Sequence, residues 1–561
     1  MPESGTPLEL PAGRGFTVSY RGKTLLSRVD PVAKCERLAA GIPLKDRTLY
    51  LCPSPLYGYG LSILLDSLEP NSAVLCVEAD EKLYELSRNH LGRYTDSRST
   101  LYKGRKLKPL ALARALDPLD ICAFVRETWG MRVFRRVEVV RLSGGWQLTP
   151  QLYGDIEAAL GKEIAIEWGN AMTLIRLGRL YARNLVRNLA LLGESENLAS
   201  LDFSPQPALV LGAGPSLDSA LEALGVLFNG LNGGRRFKVI CVDTCLSALL
   251  ERGIQPDLVV ILESQHWNLA DFQGSRGREI DAVMDLSALP ASTRVLAGKR
   301  FFFATPWTEL SLFDRLRAEG LFPKTFPPMG SVGLNAVALA LAVTQGPVVT
   351  AGFDFSYTLD AYHSRSTPGR RIQEMRQSRF RTLINAGAAF REGTFTVQSK
   401  AGKTVRSDPA MRNYRDLFEA EFGGKARLLD ITGPGLPLGI RIVSAAEAVS
   451  ILGGTDEMRS TREKSARNPG HASNDDAVMK EKLRVFIRRE MDLLTGLRET
   501  LSGGVPPERL EELLNACDYL WAHFPDCAGA GCRPPSTDLS FLKRVRTEIE
   551  PFLGLWEMSL R

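Results

Sequence analysis

The stretch Leu209-Val-Leu-Gly-Ala-Gly-Pro-Ser-Leu-Asp218 decides the fold. An apolar run of strand character delivers the chain into Gly212-Ala213-Gly214, whose glycines permit φ > 0 and a close approach of backbone, and Pro215 pre-sets φ for the first residue of a helix. A helix that starts here presents unpaired N–H groups and the positive end of its dipole, which together favour a phosphate. Ser216 adds a hydroxyl at the same spot. The third glycine of the dinucleotide fingerprint is missing and no lysine follows as a P-loop requires. A tight turn without a ligand is the competing reading.

Working outward, the segments 208–212, 238–243, 258–262, 300–304 and 347–352 are nearly continuous apolar runs separated by helical segments. Strands without polar alternation, interleaved with helices, predict a parallel sheet covered on both faces, so this region reads as a Rossmann-like α/β domain. Open sheets of this kind bind ligands at the carboxyl ends of their strands, where Asp243, Thr244 and Glu263 stand. Capping of a following helix is the other role open to these residues, to Thr244 above all.

Upstream, Arg47–Cys52, a Gly/Pro loop at Pro53–Gly60, a helix at Leu61–Leu68 and a strand at Ala73–Glu78 repeat the order strand, glycine turn, helix, strand, acid. The loop carries Tyr57 and Tyr59 where phosphate would have to approach the backbone, so this unit reads as vestigial or purely structural. Residues 171–192 space apolar groups at i, i+3 and i+4, a long amphipathic helix. The expected layout is an N-terminal Rossmann-like domain at 1–170, a connecting helix and linker at 171–207, a central domain at 208–452, a polar linker at 453–476 and a small helical domain at 477–561.

The 561 residues exceed what one core serves, and 44% hydrophobic with 24% charged residues describes a globular chain. The net charge of +6 is a thin excess, read as spread over a large surface and arguing weakly for anionic ligands. The one short basic run, Lys103 to Lys108, reads as a solvated face, which speaks against nucleic acid as a partner. Nine cysteines, mostly inside apolar runs, read as reduced core thiols; Cys527 and Cys532 lack a second pair at zinc-finger spacing, so no metal site is expected. No basic segment leads into an apolar stretch at the N-terminus and no window is apolar enough to span a membrane, which predicts a cytoplasmic protein.

Five ordered motifs then carry a resemblance: Gly212-Ala-Gly-Pro-Ser-Leu217, Val242-Asp-Thr, Gly253-Ile-Gln-Pro-Asp257, Gly330-Ser-Val-Gly-Leu-Asn335, and Gly352-Phe-Asp-Phe-Ser-Tyr-Thr358 followed by Tyr362-His363. Together they resemble the central domain of the motility accessory factor family, itself similar to 6-hydroxymethylpterin pyrophosphokinases of the MptE-like kind and to bacterial sialyltransferases. The likeness extends over roughly residues 30–450. It implies a glycosyltransferase moving a nonulosonic, sialic-acid-like sugar from a CMP donor to serine or threonine hydroxyls of flagellin or a related surface protein, with no cofactor.

By the same resemblance Gly212, Gly214, Pro215 and Ser216 hold the donor phosphate, Asp243 lies near ribose or base, and Ser331 completes the pocket; a simple N-cap is the alternative for Ser331. Thr244, Glu263 and Asp354 are grouped with them. Such transfer needs a base for the acceptor hydroxyl and donors for the departing phosphate, roles that suit His363 and the pair Tyr357 and Tyr362, with His266 the next candidate base. Phe353, Phe355 and Glu263 depart from residues common in the family and bear on sugar specificity. Two other readings stay open: a pterin diphosphotransferase using ATP and Mg2+, with Asp243, Asp257 and Glu263 as ligands, and a nucleotide-binding protein without catalysis.

Overall fold

The computed structural model describes residues 5–95, 100–102, 105–228, 235–359, 361–383, 390–454, 472–503, 507–530 and 533–560. The expected linker at 453–476 lies mostly outside these residues, as do the start of the basic run at 103–108 and Cys532. Contacts group the chain into two compact units where the sequence reading drew five segments: residues 1–176 with 522–534, and residues 177–521 with 535–561.

In the first unit, β1 (Leu8–Ala12), β2 (Gly15–Tyr20) and β3 (Lys23–Thr24) form an antiparallel sheet. The strands β4 (Thr48–Pro53), β5 (Ala73–Glu78), β8 (Leu110–Arg114) and β9 (Arg136–Val139) form a parallel sheet in the order β8-β5-β4-β9, while β6 (Thr100–Tyr102) and β7 (Arg105–Leu107) pair with each other. Both faces of the parallel sheet are covered, which is why its strands read as unbroken apolar runs. Leu49, Leu51, Leu75 and Val77 pack with Ile156, Leu160 and Ile164 on one face, and Tyr50, Cys52, Val74 and Cys76 with Leu61 and Leu64 on the other.

The glycine loop after β4 turns inward. Tyr57 is buried beside Val18, Tyr20, Leu25 and Leu83, stacks on Tyr59 at 5.2 Å between ring centroids, and donates its hydroxyl to Glu9. Gly60, at φ +81°, lies so near the preceding helix Pro31–Ala40 that a Cβ there would meet the Cys35 carbonyl oxygen at 2.6 Å. Glu78, the acid a ribose would need, is buried and accepts from the N–H groups of Ala79 and Asp80 at 3.0 and 3.2 Å and from the Tyr153 hydroxyl at 3.3 Å. Burial pushes its carboxyl up to about 7.

In the second unit the strands are β10 (Ala208–Leu211), β11 (Lys238–Val242), β12 (Leu258–Ile261), β13 (Asp281–Asp285), β14 (Arg300–Phe303), β15 (Val348–Ala351), β18 (Leu428–Ile431) and β19 (Arg441–Val443). They form one parallel sheet in the order β14-β13-β12-β11-β10-β15-β18-β19. The hairpin β16 (Phe395–Gln398) and β17 (Thr404–Ser407) stands apart from it. The Rossmann-like α/β class read from the sequence is what the structure has. Sequence reading missed β13, β18 and β19, whose short Asp-Ala-Val-Met-Asp, Leu-Leu-Asp-Ile and Arg-Ile-Val segments carry charge within the run or at its ends. The buried Asp285 that ends β13 is satisfied by the N–H groups of Ser287 and Thr305 at 2.7 and 2.6 Å.

One helix runs Pro150–Leu192, beginning well before the expected 171. Within the second unit, Asn184 of this helix donates to the carbonyls of Ser264 and Ser287 at 2.9 and 3.0 Å, and Asn188 to those of Leu286 and Ala288 at 2.9 and 2.8 Å. The helix is thereby tied to the chain leaving β12 and β13. The C-terminal helices Ala472–Ser502, Pro507–Ala516 and Leu539–Leu560 belong to the second unit, where the buried Glu490 holds Arg315 by two bonds of 2.6 and 2.8 Å. Residues 522–534 group with the first.

Candidate functional site

From β10 the chain builds outward as far as β14 and then crosses back, through the apolar helix Val332–Val343, to lay β15 along the other side of β10. Strand order therefore reverses between β10 and β15, and a parallel sheet opens a crevice at the carboxyl ends of such a pair. The turn Gly212–Ser216 leaves one strand there and the segment Gly352–Tyr357 the other.

Of the two reasons the sequence offers for the glycines of the turn, the close approach of backbone holds and the positive φ does not. Neither adopts a positive φ; Gly352 does, at +77°. A Cβ on Gly212 would lie 2.6 Å from the Gly352 carbonyl oxygen, and one on Gly214 would lie 2.4 Å from the Asp354 carboxylate and 2.6 Å from the same carbonyl. The glycines let two strand-end loops touch, and the Gly214 N–H donates to the Gly352 carbonyl at 2.9 Å. The helix begins at Leu217 with Ser216 as its N-cap, two residues later than Pro215 predicts.

Asp354 lies against the turn read as a phosphate site. Its buried carboxylate accepts from the Ser216 N–H at 2.7 Å, and its other oxygen has no hydrogen-bond partner among the described residues. Burial raises its pKa, opposed by the Ser216 bonds and by the charge of Lys400. Lys400 itself reaches Asp430 at 2.5 Å and the Ile431 carbonyl at 2.9 Å, with both side chains of the pair buried. Burial pushes Asp430 up to about 6. Neither Lys400 nor Asp430 was singled out from the sequence, because Lys400 sits in a Ser-Lys-Ala-Gly-Lys turn and Asp430 in an unrecognised strand. Asp354→Ala leaves the buried Ser216 N–H without an acceptor, and the expected loss is about 1–3 kcal/mol of stability, read as a lower urea midpoint at unchanged m-value.

His363 is brought to this turn across 150 residues of sequence by its neighbour, for the Ser364 N–H donates to the Ala213 carbonyl at 3.0 Å. Its ring lies 4.6 Å from that of Tyr362, its Nδ1 is buried without a hydrogen-bond partner among the described residues, and burial lowers its pKa to about 4. The imidazole is therefore neutral near pH 7, with one nitrogen held dry and unpaired. Tyr357 packs with Tyr362 and Met411, and its hydroxyl donates to Asp408 at 2.5 Å. Asp408, unremarked in the sequence, caps the helix Pro409–Phe422 through the Met411 N–H at 2.8 Å; the Asp-Pro pair is a helix-start signal that could have found it. The Tyr357 proton is therefore engaged by Asp408, while its ring packs on Tyr362.

The remaining residues lie along the carboxyl edge toward β11 and β12. Asp243, at the start of the helix Asp243–Glu251, is buried and accepts from Thr244 N–H at 2.8 Å and from the Asn268 amide at 2.7 Å. Burial pushes it up to about 6, and Asp271, which shares the Asn268 amide at 3.3 Å, up to about 7. Thr244 turns its hydroxyl to Asp243 and does not cap, since Val242 is the N-cap. Glu263 is exposed and accepts from the Gln265 N–H at 2.9 Å. His266 is exposed, its ring 3.9 Å from that of Trp267. Ser331 is the N-cap of Val332–Val343 but makes no capping bond with its side chain.

Asp257 stands elsewhere. It precedes β12 while Glu263 follows it, and it is bound by Arg235 and Lys238 at 2.9 and 3.2 Å. The trio Asp243, Asp257 and Glu263 is therefore split between opposite ends of a strand, and among the described residues no group of three or more His, Cys, Asp or Glu side chains is placed to hold a metal ion. Every described cysteine is buried and unbridged. No described helix is long and apolar enough to cross a membrane.

Comparison with known proteins adds three findings. The family model "6-hydroxymethylpterin diphosphokinase MptE-like" matches residues 181–360. An uncharacterized protein of Treponema pallidum (strain Nichols) is 30% identical over 562 residues, covering 96% of this chain and 93% of the relative. The solved structure of a Maf glycosyltransferase from Magnetospirillum magneticum AMB-1 aligns over 100% of this chain and 92% of its own with a TM-score of 0.54 and 15% identity, a likeness of fold. The resemblance read from the five motifs is borne out by these findings. The MptE-like match contains the glycine turn and Asp354 and ends just before Tyr362 and His363.

Proposed function

The chain belongs to one family with the Treponema pallidum protein, built on an MptE-like domain, and on that premise we propose that it is a glycosyltransferase that moves a nonulosonic sugar from a CMP donor to a serine or threonine hydroxyl of flagellin or a related surface protein. The observation that carries this reading is the bond from Ser364 N–H to the Ala213 carbonyl, which brings the Tyr362–His363 pair against the nucleotide turn. The Maf glycosyltransferase with which the chain shares its fold supports the same class of reaction.

In the proposed reaction the bond from the sugar's anomeric carbon to the phosphate oxygen breaks and CMP departs with the electron pair. The acceptor oxygen bonds to the same carbon, and its proton passes to the neutral imidazole of His363. Tyr362 steadies the leaving phosphate, Tyr357 and Asp408 hold Tyr362, and Ser331 with Asp243 lines the nucleoside side. Ser331 suits this role because its hydroxyl is not used in capping. In this reading Glu263, which is exposed beyond β12, faces the sugar. No cofactor enters these steps, and the cytoplasm, where CMP-activated donors would be met, belongs to the same reading.

A diphosphotransferase is favoured by the family match alone, whereas the dispersal of Asp243, Asp257 and Glu263 counts against its Mg2+ site. Thermal unfolding with ligand separates the readings. CMP at about 100 times its Kd is expected to stabilise the protein by about 2.7 kcal/mol, and ATP with Mg2+ to do far less. Protection by ATP–Mg2+ and none by CMP sinks the CMP-sugar reading. Protection by CMP without transfer from a CMP-nonulosonate to flagellin leaves a binding protein.

A further inference from the structure

The +6 of this chain is not spread over its surface. Between Ala361 and Ser407, within the crossover from β15 to β18, ten lysines and arginines face two glutamates, a local net charge of +8, so the rest of the chain is on balance acidic. This stretch is fastened to the mouth of the candidate site. Tyr357 N–H donates to the Arg406 carbonyl at 2.7 Å, the Ser407 hydroxyl to the Phe355 carbonyl at 2.9 Å, and Ser364 N–H to the Ala213 carbonyl at 3.0 Å.

Part of the charge is neutralised within the fold: Arg370 pairs with Glu374 at 2.8 Å, Arg371 with Glu251 and Lys400 with Asp430. Arg376, Arg379 and Arg381 are exposed, and none has an acidic side chain against it among the described residues. Beside them stand two of the most exposed large apolar groups described, Met375 at 85% and Phe380 at 93% of full exposure. A single exposed hydrophobic residue needs no explanation, but an exposed aromatic and a methionine among three unneutralised arginines form a surface suited to a partner that supplies both carboxylates and apolar contact.

We propose that this lobe docks an acidic segment of the acceptor polypeptide, with carboxylates on Arg376, Arg379 and Arg381 and an apolar side chain on Met375 and Phe380. The proposal rests on the glycosyltransferase reading, since it assigns the lobe to the acceptor that His363 would deprotonate. Phe380 is the one aromatic between Arg376 and Arg381, too few for base stacking along a nucleic-acid strand. A lipid surface takes a helix with a continuous apolar face, whereas in Pro368–Met375 Arg370 is buried against Glu374.

The test measures anisotropy of a fluorescent peptide of alternating glutamate and serine with one leucine, added to the full-length protein. The parent binds it, binding weakens as NaCl is raised, and the R376E/R379E/R381E variant binds at least about tenfold more weakly while its thermal protection by CMP equals the parent's. Equal affinity of parent and variant, no binding by the parent, or stronger binding to single-stranded DNA or phosphatidylglycerol vesicles overturns the docking assignment. Peptide binding as expected with no protection by CMP upholds the acidic-segment site and fells the CMP-donor reading; protection by CMP without peptide binding does the reverse.

Discussion

His363→Ala is expected to lower the turnover of sugar transfer by about 10²–10⁴-fold, the usual cost of removing a general base, while protection by CMP stays at the parent level. The expectation follows from a ring whose Nδ1 is buried and unpaired and which is held at the glycine turn by its neighbour's backbone rather than by its own side chain. Truncation therefore leaves the tether between Ser364 and Ala213 in place. Burial has lowered the imidazole to about 4, so the base form persists as pH falls below the ordinary 6.5 and is lost only as pH drops through about 4. An acid limb of kcat/KM near pH 6–7 that survives in His363→Gln belongs to Asp243, Asp271 or Asp430, which burial raises to about 6, 7 and 6. Near-normal transfer by His363→Ala removes the residue from the mechanism, and the exposed His266 becomes the next base to test.

Gly214→Val is expected to abolish protection by CMP and also to destabilise the protein. Read from the sequence, glycine here serves φ > 0 and a close approach of backbone at a phosphate. The structure puts the new side chain against Asp354 and the Gly352 carbonyl, at 2.4 and 2.6 Å from the first carbon alone. Neither neighbour yields easily, because one is backbone and the other is a buried carboxylate bound to Ser216. Overpacking of this kind costs about 1–3 kcal/mol, and displacing Asp354 adds the unsatisfied Ser216 N–H, about another 1–3 kcal/mol. Denaturant unfolding reads the destabilisation, and thermal protection by CMP reads the loss of binding. A variant as stable as the parent that binds CMP equally well shows that the turn neither packs nor binds as described.

The class of the fold and the glycine turn at the end of its first central strand were legible in the chain itself. Buried parallel strands leave unbroken apolar runs, and Gly212-Ala-Gly-Pro-Ser216 marks the end of one of them, so local composition sufficed for β10, β11, β12, β14 and β15. It did not suffice for β13, β18 and β19, where an aspartate or arginine lies within a short run or at its ends and only pairing with neighbouring strands supplies the order. The partners of the site were likewise beyond local reading. That Asp354 takes the Ser216 N–H, that Tyr357 donates to Asp408, and that Lys400 meets Asp430 are contacts across 30 to 138 residues, set by which strand ends the sheet order makes adjacent. Residue types and spacing named candidate groups for the proposed chemistry. Only the reversal of strand order between β10 and β15 decided which of them meet, because hydrogen-bonded register, unlike composition, is a property of segments far apart in the chain.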